Sequence, residues 1–207
     1  MTLHTLLRLS HVNYRLRTRN STTRPSYGKG IMSSVPEDQM LAPWKGLQGA
    51  LAGFFSAHAR GLLASNFALL DPEGREVGWL RVHGPKGAEF EAGNLAAKIK
   101  RTAPQRYAMV AGGARVLSAE TAGSPDAMQI RRAERVYEAS LGLLRNTAEA
   151  HLPTGDRVSR VTGGFTNRRY EVAFDTDDAG SLPVAVFLLY RLIALRRGAY
   201  RTGAEGG

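Results

Sequence analysis

The chain has 207 residues and a formal net charge of +10, from 28 Lys and Arg against 18 Asp and Glu. This length allows one domain with tails, and the absence of cysteine excludes a disulfide framework, thiolate metal ligands and cysteine nucleophiles. Six basic and no acidic residues lie in positions 1–36, so only +4 belongs to positions 37–207, and nucleic acid is not expected as a partner of the folded part.

Residues 1–36 are predicted to form a disordered basic leader. They are rich in Arg, Ser and Thr and have too few clustered apolar residues to offset the entropy of ordering. Organellar transit peptides share this composition. A native start at Met32 is the alternative.

Residues 37–62 are predicted to form an amphipathic helix. Apolar residues recur at steps of three and four from Trp44 through Leu51 to Leu62, and Pro43 suits a first helical turn. The glycines in this stretch weaken the helix by up to ~1 kcal/mol each, so it needs a surface to pack against. We expect docking onto the main domain, with a membrane-surface position as the alternative.

Short strands are predicted beyond residue 63, because turn signals such as "DPEG" (71–74) and "PTGD" (153–156) recur along the chain. The segment "NRRYEVAF" alternates, which places Tyr170, Val172 and Phe174 on one face of a strand. "RYAMVA" and "REVGWLRV" also fit strands. This pattern favours a β-sandwich or barrel over alternating strands and helices.

Residues 127–152 are ambiguous. A helical period runs through Ile130, Tyr137 and Leu144, but the segment can also be divided into two or three strands. Periodicity slightly favours the helix and does not decide.

The apolar run near the C-terminus is predicted to be a buried helix, about residues 182–197. Its core, Leu182 to Leu195, is shorter than the ~20 residues of a bilayer span, and it contains Arg191, which is costly in a membrane. Pro183 suits a first helical turn. The residues expected at the buried centre are Val184, Phe187, Leu188 and Leu192, and residues 201–207 are expected to be a disordered tail.

Three segments carry a resemblance to a known family: "FALLDPEGREVGWL" (67–80), "LPTGDRVSRVTGGFTNRRYEVAF" (152–174) and "DTDDAGSLPVAVFLLYRLIAL" (175–195). In the order and character of these elements, residues 63–200 resemble the tubby C-terminal-like superfamily, nearest its LURP-one-related and phospholipid-scramblase branches. The resemblance implies a mainly β fold, a twelve-stranded closed antiparallel barrel around a hydrophobic C-terminal helix. It also implies that residues 127–152 are strands.

The resemblance to scramblases points to an acidic segment before the last helix as a calcium site. The matching residues are Asp175, Asp177 and Asp178, but Ala179 and Val186 stand where a calcium loop needs its fifth and twelfth ligands. We therefore expect an Asp-rich turn that caps the helix, and no cofactor, with calcium as the weaker alternative.

Tubby domains bind phosphoinositides through basic side chains on the barrel, and the nearest candidates here are Lys98, Lys100, Arg101 and Arg106. Strand geometry would place Lys98 and Lys100 on one face about 7 Å apart. Cations at this spacing could hold a phosphate. A solvated strand edge protected by lysines is the alternative.

The sequence contains no P-loop, dinucleotide-binding, nucleophile-elbow or zinc-protease motif. We expect a non-enzymatic, cytoplasmic barrel that binds membrane lipid head groups or a protein partner, peripherally where the partner is a membrane. The alternatives are a scramblase-like protein that inserts its C-terminal helix, and a small enzyme without a recognisable motif.

Overall fold

A computed structural model gives the backbone of residues 37–61 and 65–204 and the side chains of residues 41–61 and 65–198. The predicted leader (1–36) and the last residues of the predicted tail (205–207) lie outside the described residues. Within the described residues the elements are α1 (Glu37–Leu51), β1 (Phe54–Arg60), β2 (Asn66–Leu70), β3 (Glu76–Val82), a short 3-10 helix (Gly84–Lys86), β4 (Gly87–Ala92), β5 (Leu95–Ala103), β6 (Arg106–Ala111), β7 (Ala114–Thr121), β8 (Ala127–Arg132), β9 (Arg135–Gly142), β10 (Thr147–His151), β11 (Arg157–Gly163), β12 (Arg169–Phe174) and α2 (Ser181–Ala204).

The strands form a closed antiparallel barrel. Each strand pairs with its neighbours in sequence, and β1 closes the barrel by pairing with both β2 and β12. The alternation of inward-facing apolar and outward-facing polar residues favours this arrangement. In β12, for example, Tyr170, Val172 and Phe174 are buried while the residues between them are exposed. The predicted fold class is confirmed.

The apolar run lies inside this barrel as α2. Every residue from Ser181 to Ala194 is buried, including the four predicted at its centre (Val184, Phe187, Leu188 and Leu192). Strand side chains pack against the helix from all sides, which explains why it is apolar all round. Within residues 37–61 and 65–204, no helix combines the length and hydrophobicity that crossing a membrane requires.

The prediction of one helix over 37–62 is right only as far as Leu51. Ala52 and Gly53 adopt positive φ, and a Cβ at Gly53 would approach the carbonyl oxygen of Phe174. The chain therefore turns there and continues as β1, whose pairing closes the barrel. Pro43 lies inside α1 and not in its first turn.

Two other segments also differ from the sequence-based expectations. The helical period in residues 127–152 was misleading, since this segment forms β8, β9 and β10, as the resemblance implied. Positive φ at Ala133 and Asn146 marks the turns between these strands. At the C-terminus, α2 continues to Ala204, so the tail predicted from residue 201 is helical through that residue.

The barrel has two different ends. At the end that we call the α1 end, α1 packs over the barrel, with Trp44 stacked on Phe90 at 5.5 Å between ring centroids. There the Gln48 side chain donates to the carbonyl oxygens of Asp175, Thr176 and Asp178, which precede α2. The distal end is the opposite one, which α2 reaches with Arg196.

Candidate functional site

An open groove of about 420 Å³ lies on the outer wall of the barrel, over β6, β7 and β8. We call it the wall groove. Its lining residues are Thr102, Arg106, Tyr107, Ala108, Arg115, Ser118, Ala119, Glu120, Gln129 and Arg131. Small side chains make up its floor, because strand register sets Ala108 beside Ser118 and Ser118 beside Arg131.

Three arginines from three different strands surround this floor. Arg106 is paired with Glu120 across the strands at 3.0 Å, and Arg131 donates from Nε and Nη2 to the Gln129 side chain at 2.9 and 2.6 Å. Arg115 is exposed and forms no salt bridge with any described residue. The groove therefore has a net positive lining, with one glutamate against three arginines.

The four predicted basic residues divide among different places. Arg106 lines the wall groove, whereas Lys98 and Lys100 line a neighbouring hollow of about 360 Å³. Lys100 pairs in register with Ala108, at the groove floor, and forms no salt bridge with any described residue. Arg101 lies on the opposite face of β5 from Lys98 and Lys100, because it is an odd number of positions away from them. It also lies at a β-bulge, and its Nε donates to the carbonyl oxygen of Ala103.

Lys98 is engaged by a carboxylate. Its Nζ lies 3.3 Å from Oε1 of Glu89, the residue opposite it on β4. The hydrogen bond from Lys98 lowers the pKa of Glu89, and the charges of Lys98 and His83 add to this effect. Of the predicted pair, Lys100 is therefore the better placed to meet an external anion.

The three candidate calcium ligands do not point toward one place. Oδ1 of Asp178 accepts from Arg135 Nη1 at 2.8 Å, from the backbone N–H of Gly180 at 2.8 Å and from the Tyr137 hydroxyl at 3.3 Å. Asp175 accepts from the backbone N–H of Asp177, as in an Asx turn. Among the side chains that the structure describes, no group of three or more His, Asp or Glu is arranged to hold a metal ion.

Asp178 instead fixes the connection between β12 and α2. A Cβ at Gly180 would overlap the Tyr137 hydroxyl, so only glycine lets the connection approach this closely. Burial, followed by the charge of Asp178, raises the pKa of Tyr137 to about 12. The neutral phenol is therefore the form that packs here.

The core helix α2 carries a buried cation toward the distal end of the barrel. Arg191 is buried, donates to the Tyr107 hydroxyl at 2.8 Å, and its Nε has no hydrogen-bond partner. It forms no ion pair with a carboxylate of the described residues. Burial, together with the neighbouring Tyr107, raises the pKa of Tyr190 to about 12.

Sequence reasoning did not single out Arg115 and Arg131. They lie 16 positions apart in sequence, and only the register of β6, β7 and β8 brings them to one groove. An outward position on an alternating strand was the one available signal, and most exposed arginines share it.

Comparison with known proteins gives a loose structural likeness. No family model matches the chain, and no curated protein matches it. A solved X-ray structure of an Arabidopsis thaliana protein is similar at 11% identity and a TM-score of 0.48, over 68% of this chain and 93% of that one. At that level of similarity the likeness supports no argument about family or activity.

Proposed function

We propose that this protein is a non-enzymatic, tubby-like barrel that binds phosphate-bearing head groups of membrane lipids through the wall groove. The observation that carries the proposal is the convergence of Arg106, Arg115 and Arg131 around a floor of small side chains. Guanidinium groups form bidentate, charge-assisted hydrogen bonds with phosphate oxygens. The small floor leaves room for a head group to approach the strands.

The size and charge state of the groove support this assignment. Its volume of about 420 Å³ falls in the ~300–1,000 Å³ range of small-ligand sites. Arg115 is available without breaking any salt bridge to a described residue, and Lys100 lies on the adjacent strand beside Ala108. A phosphorylated head group would supply the counter-charge that these two cations lack.

The proposed attachment is peripheral and places the protein at a cytoplasmic membrane surface. Insertion of the C-terminal helix, the scramblase-like alternative, would require the barrel to open, because α2 is enclosed from Ser181 to Ala194. Exposing that helix would remove the apolar core of the domain. We propose no reaction, since the wall groove offers cations for binding and no paired nucleophile and base.

The test is vesicle flotation combined with calorimetry. We expect the protein to float with phosphatidylcholine vesicles that contain a phosphoinositide and to bind free inositol phosphates. Arg115→Ala combined with Arg131→Ala should weaken both interactions at least about tenfold, because hydrogen bonds to charged groups contribute about 1.5–3 kcal/mol each. High salt should also weaken them, because it screens exposed charges.

A control matched in charge is Arg157→Ala combined with Arg160→Ala on β11, which removes two exposed arginines from outside the groove. It should leave both interactions unchanged. Equal losses in the control and the groove variant would mean that binding follows overall charge. Absence of phosphate binding by the parent protein would refute the proposal and favour a protein partner for the barrel.

A further inference from the structure

Two large apolar side chains are fully exposed at the distal end. Leu144 is 100% exposed and Phe165 is 97% exposed, and no other large apolar side chain among residues 41–61 and 65–198 is comparably exposed. Leu144 lies in the connection between β9 and β10, and Phe165 lies in that between β11 and β12. Because all the strands are antiparallel, both connections lie at the same end of the barrel.

These two tips are held on a rigid base. The Asn146 side chain donates to the Gly164 carbonyl at 2.9 Å and to Oδ1 of Asn167 at 2.8 Å, so it joins the two connections. Arg196 of α2 donates to the Leu143 carbonyl and to Asn167. Leu144 and Phe165 therefore project from a fixed platform, which lowers the entropy cost of presenting them to a partner.

The two ends of the barrel also differ in charge. The connections at the α1 end carry seven acidic side chains and one basic one: Asp71, Glu73, Glu134, Asp156, Asp175, Asp177 and Asp178 against Arg75. The connections at the distal end carry three basic side chains and one acidic one: Lys86, Arg145 and Arg168 against Asp126. Arg196 and Arg197 of α2 add to the positive end.

We propose that the distal end docks on an anionic bilayer with Leu144 and Phe165 inserted between the lipids. Arg145 directly follows Leu144, and Arg168 lies three positions after Phe165. Both are exposed and would meet lipid phosphates at the interface. The anionic lipids would repel the acidic α1 end. The charge difference would therefore orient the barrel axis roughly perpendicular to the bilayer, with the distal end toward the lipids. Exposed apolar side chains rimmed by cations suit this interface.

The inference rests on the membrane proposed above as partner, but it uses residues outside the wall groove. The groove would give selectivity for a phosphorylated head group, and the tips would give general affinity for an anionic surface. The two contributions can therefore be separated by experiment.

The chain has no cysteine, so single cysteines can carry an environment-sensitive fluorophore such as NBD. We expect labels at Leu144→Cys and Phe165→Cys to brighten and shift to the blue on phosphatidylcholine vesicles containing phosphatidylserine. A label at Thr154→Cys, exposed at the α1 end, is the matched control and should not change. Silent labels at both tips on vesicles that bind the protein would overturn the inference.

A second measurement separates this inference from the groove. Leu144→Ser combined with Phe165→Ser should lower affinity for the anionic vesicles at least tenfold, while the melting temperature and the affinity for free inositol phosphates stay unchanged. Arg115→Ala combined with Arg131→Ala should lower the affinity for free inositol phosphates, while the affinity for the anionic vesicles and the insertion of the tips stay unchanged. A dimer in sedimentation that the double serine variant dissociates would assign the tips to a second copy of the chain, and would overturn docking on a bilayer.

Discussion

Arg191 of α2 donates a hydrogen bond of 2.8 Å to the hydroxyl of Tyr107, and its guanidinium carbon lies 4.4 Å from the centre of the same ring. The cation is buried at the distal end of the barrel and forms no salt bridge with a carboxylate of the described residues. A buried charge is costly unless its hydrogen bonds compensate for lost water. Tyr107 supplies this compensation through both its hydroxyl and its π-face.

Replacing the cation should therefore be tolerated better than removing its partner. Arg191→Met keeps most of the side-chain volume and abolishes the desolvated charge, so we expect unchanged or higher stability in urea unfolding. Tyr107→Phe removes the hydrogen bond that the guanidinium donates to the Tyr107 hydroxyl and should cost about 1–3 kcal/mol. The combined variant should resemble Arg191→Met alone. A larger loss for Arg191→Met than for Tyr107→Phe would show that the charge itself stabilises the fold.

The core helix gives a second prediction. Leu188 is completely buried at the centre of the barrel, so Leu188→Ala should cost about 2–5 kcal/mol and destabilise the whole domain in one transition. Leu188→Asp should prevent soluble expression, because an unpaired carboxylate would lie in the apolar centre. The measurement is thermal or urea unfolding followed by circular dichroism.

The matched control is Leu144→Ala, the same substitution at a fully exposed leucine, which should change stability by less than about 0.5 kcal/mol. Deleting residues 182–207 should leave no cooperative unfolding transition. A truncated protein that keeps a sharp transition would contradict the role of α2 as the core of the barrel.

Alkaline pH should destabilise the protein through Tyr137 and Tyr190. Burial raises the pKa of each to about 12, compared with about 10 in the unfolded chain. As pH rises, the unfolded state releases these protons before the folded state does. The contribution of the two tyrosines to the free energy of unfolding is therefore fully present below pH ~10 and is lost as the pH rises toward about 12. Tyr137→Phe and Tyr190→Phe should each flatten the fall in urea stability across this range. An unchanged slope in both variants would contradict the prediction.

The acidic connection before α2 should have a structural role that does not depend on calcium. Asp178→Asn should destabilise the fold by about 1–3 kcal/mol, because the buried acceptor of Arg135 loses its charge. Asp177→Asn, which changes an exposed neighbour, is the matched control and should have an effect of under about 0.5 kcal/mol. Calorimetry should detect no tight calcium binding by the parent protein. Sub-micromolar affinity that Asp177→Ala abolishes would restore the calcium site.

The sequence by itself determined the elements whose buried faces follow from a local pattern of apolar residues. The alternation of Tyr170, Val172 and Phe174 predicts β12, because a strand with one buried face must repeat every two residues. The run from Leu182 to Leu195 is too short for a bilayer and apolar on all sides, so a helix enclosed by protein was the consistent interpretation.

Only the tertiary structure decided features that depend on distant partners. Residues 54–60 continue the apolar period of α1, yet they form β1 because β12, more than a hundred residues later, supplies the backbone partners that close the barrel. Residues 127–152 are strands for a similar reason. The spacing of their apolar residues suits both a helix and short strands, and the hydrogen bonds that neighbouring strands offer decide for strands.

The sites depended on register still more strongly. Arg106, Arg115 and Arg131 form one groove only because β6, β7 and β8 align Ala108 with Ser118 and Ser118 with Arg131. The joining of the Leu144 and Phe165 tips requires a hydrogen bond from Asn146 to a connection some twenty residues away. Local sequence sets which face a side chain takes on its strand, but the closing of the barrel sets which side chains become neighbours.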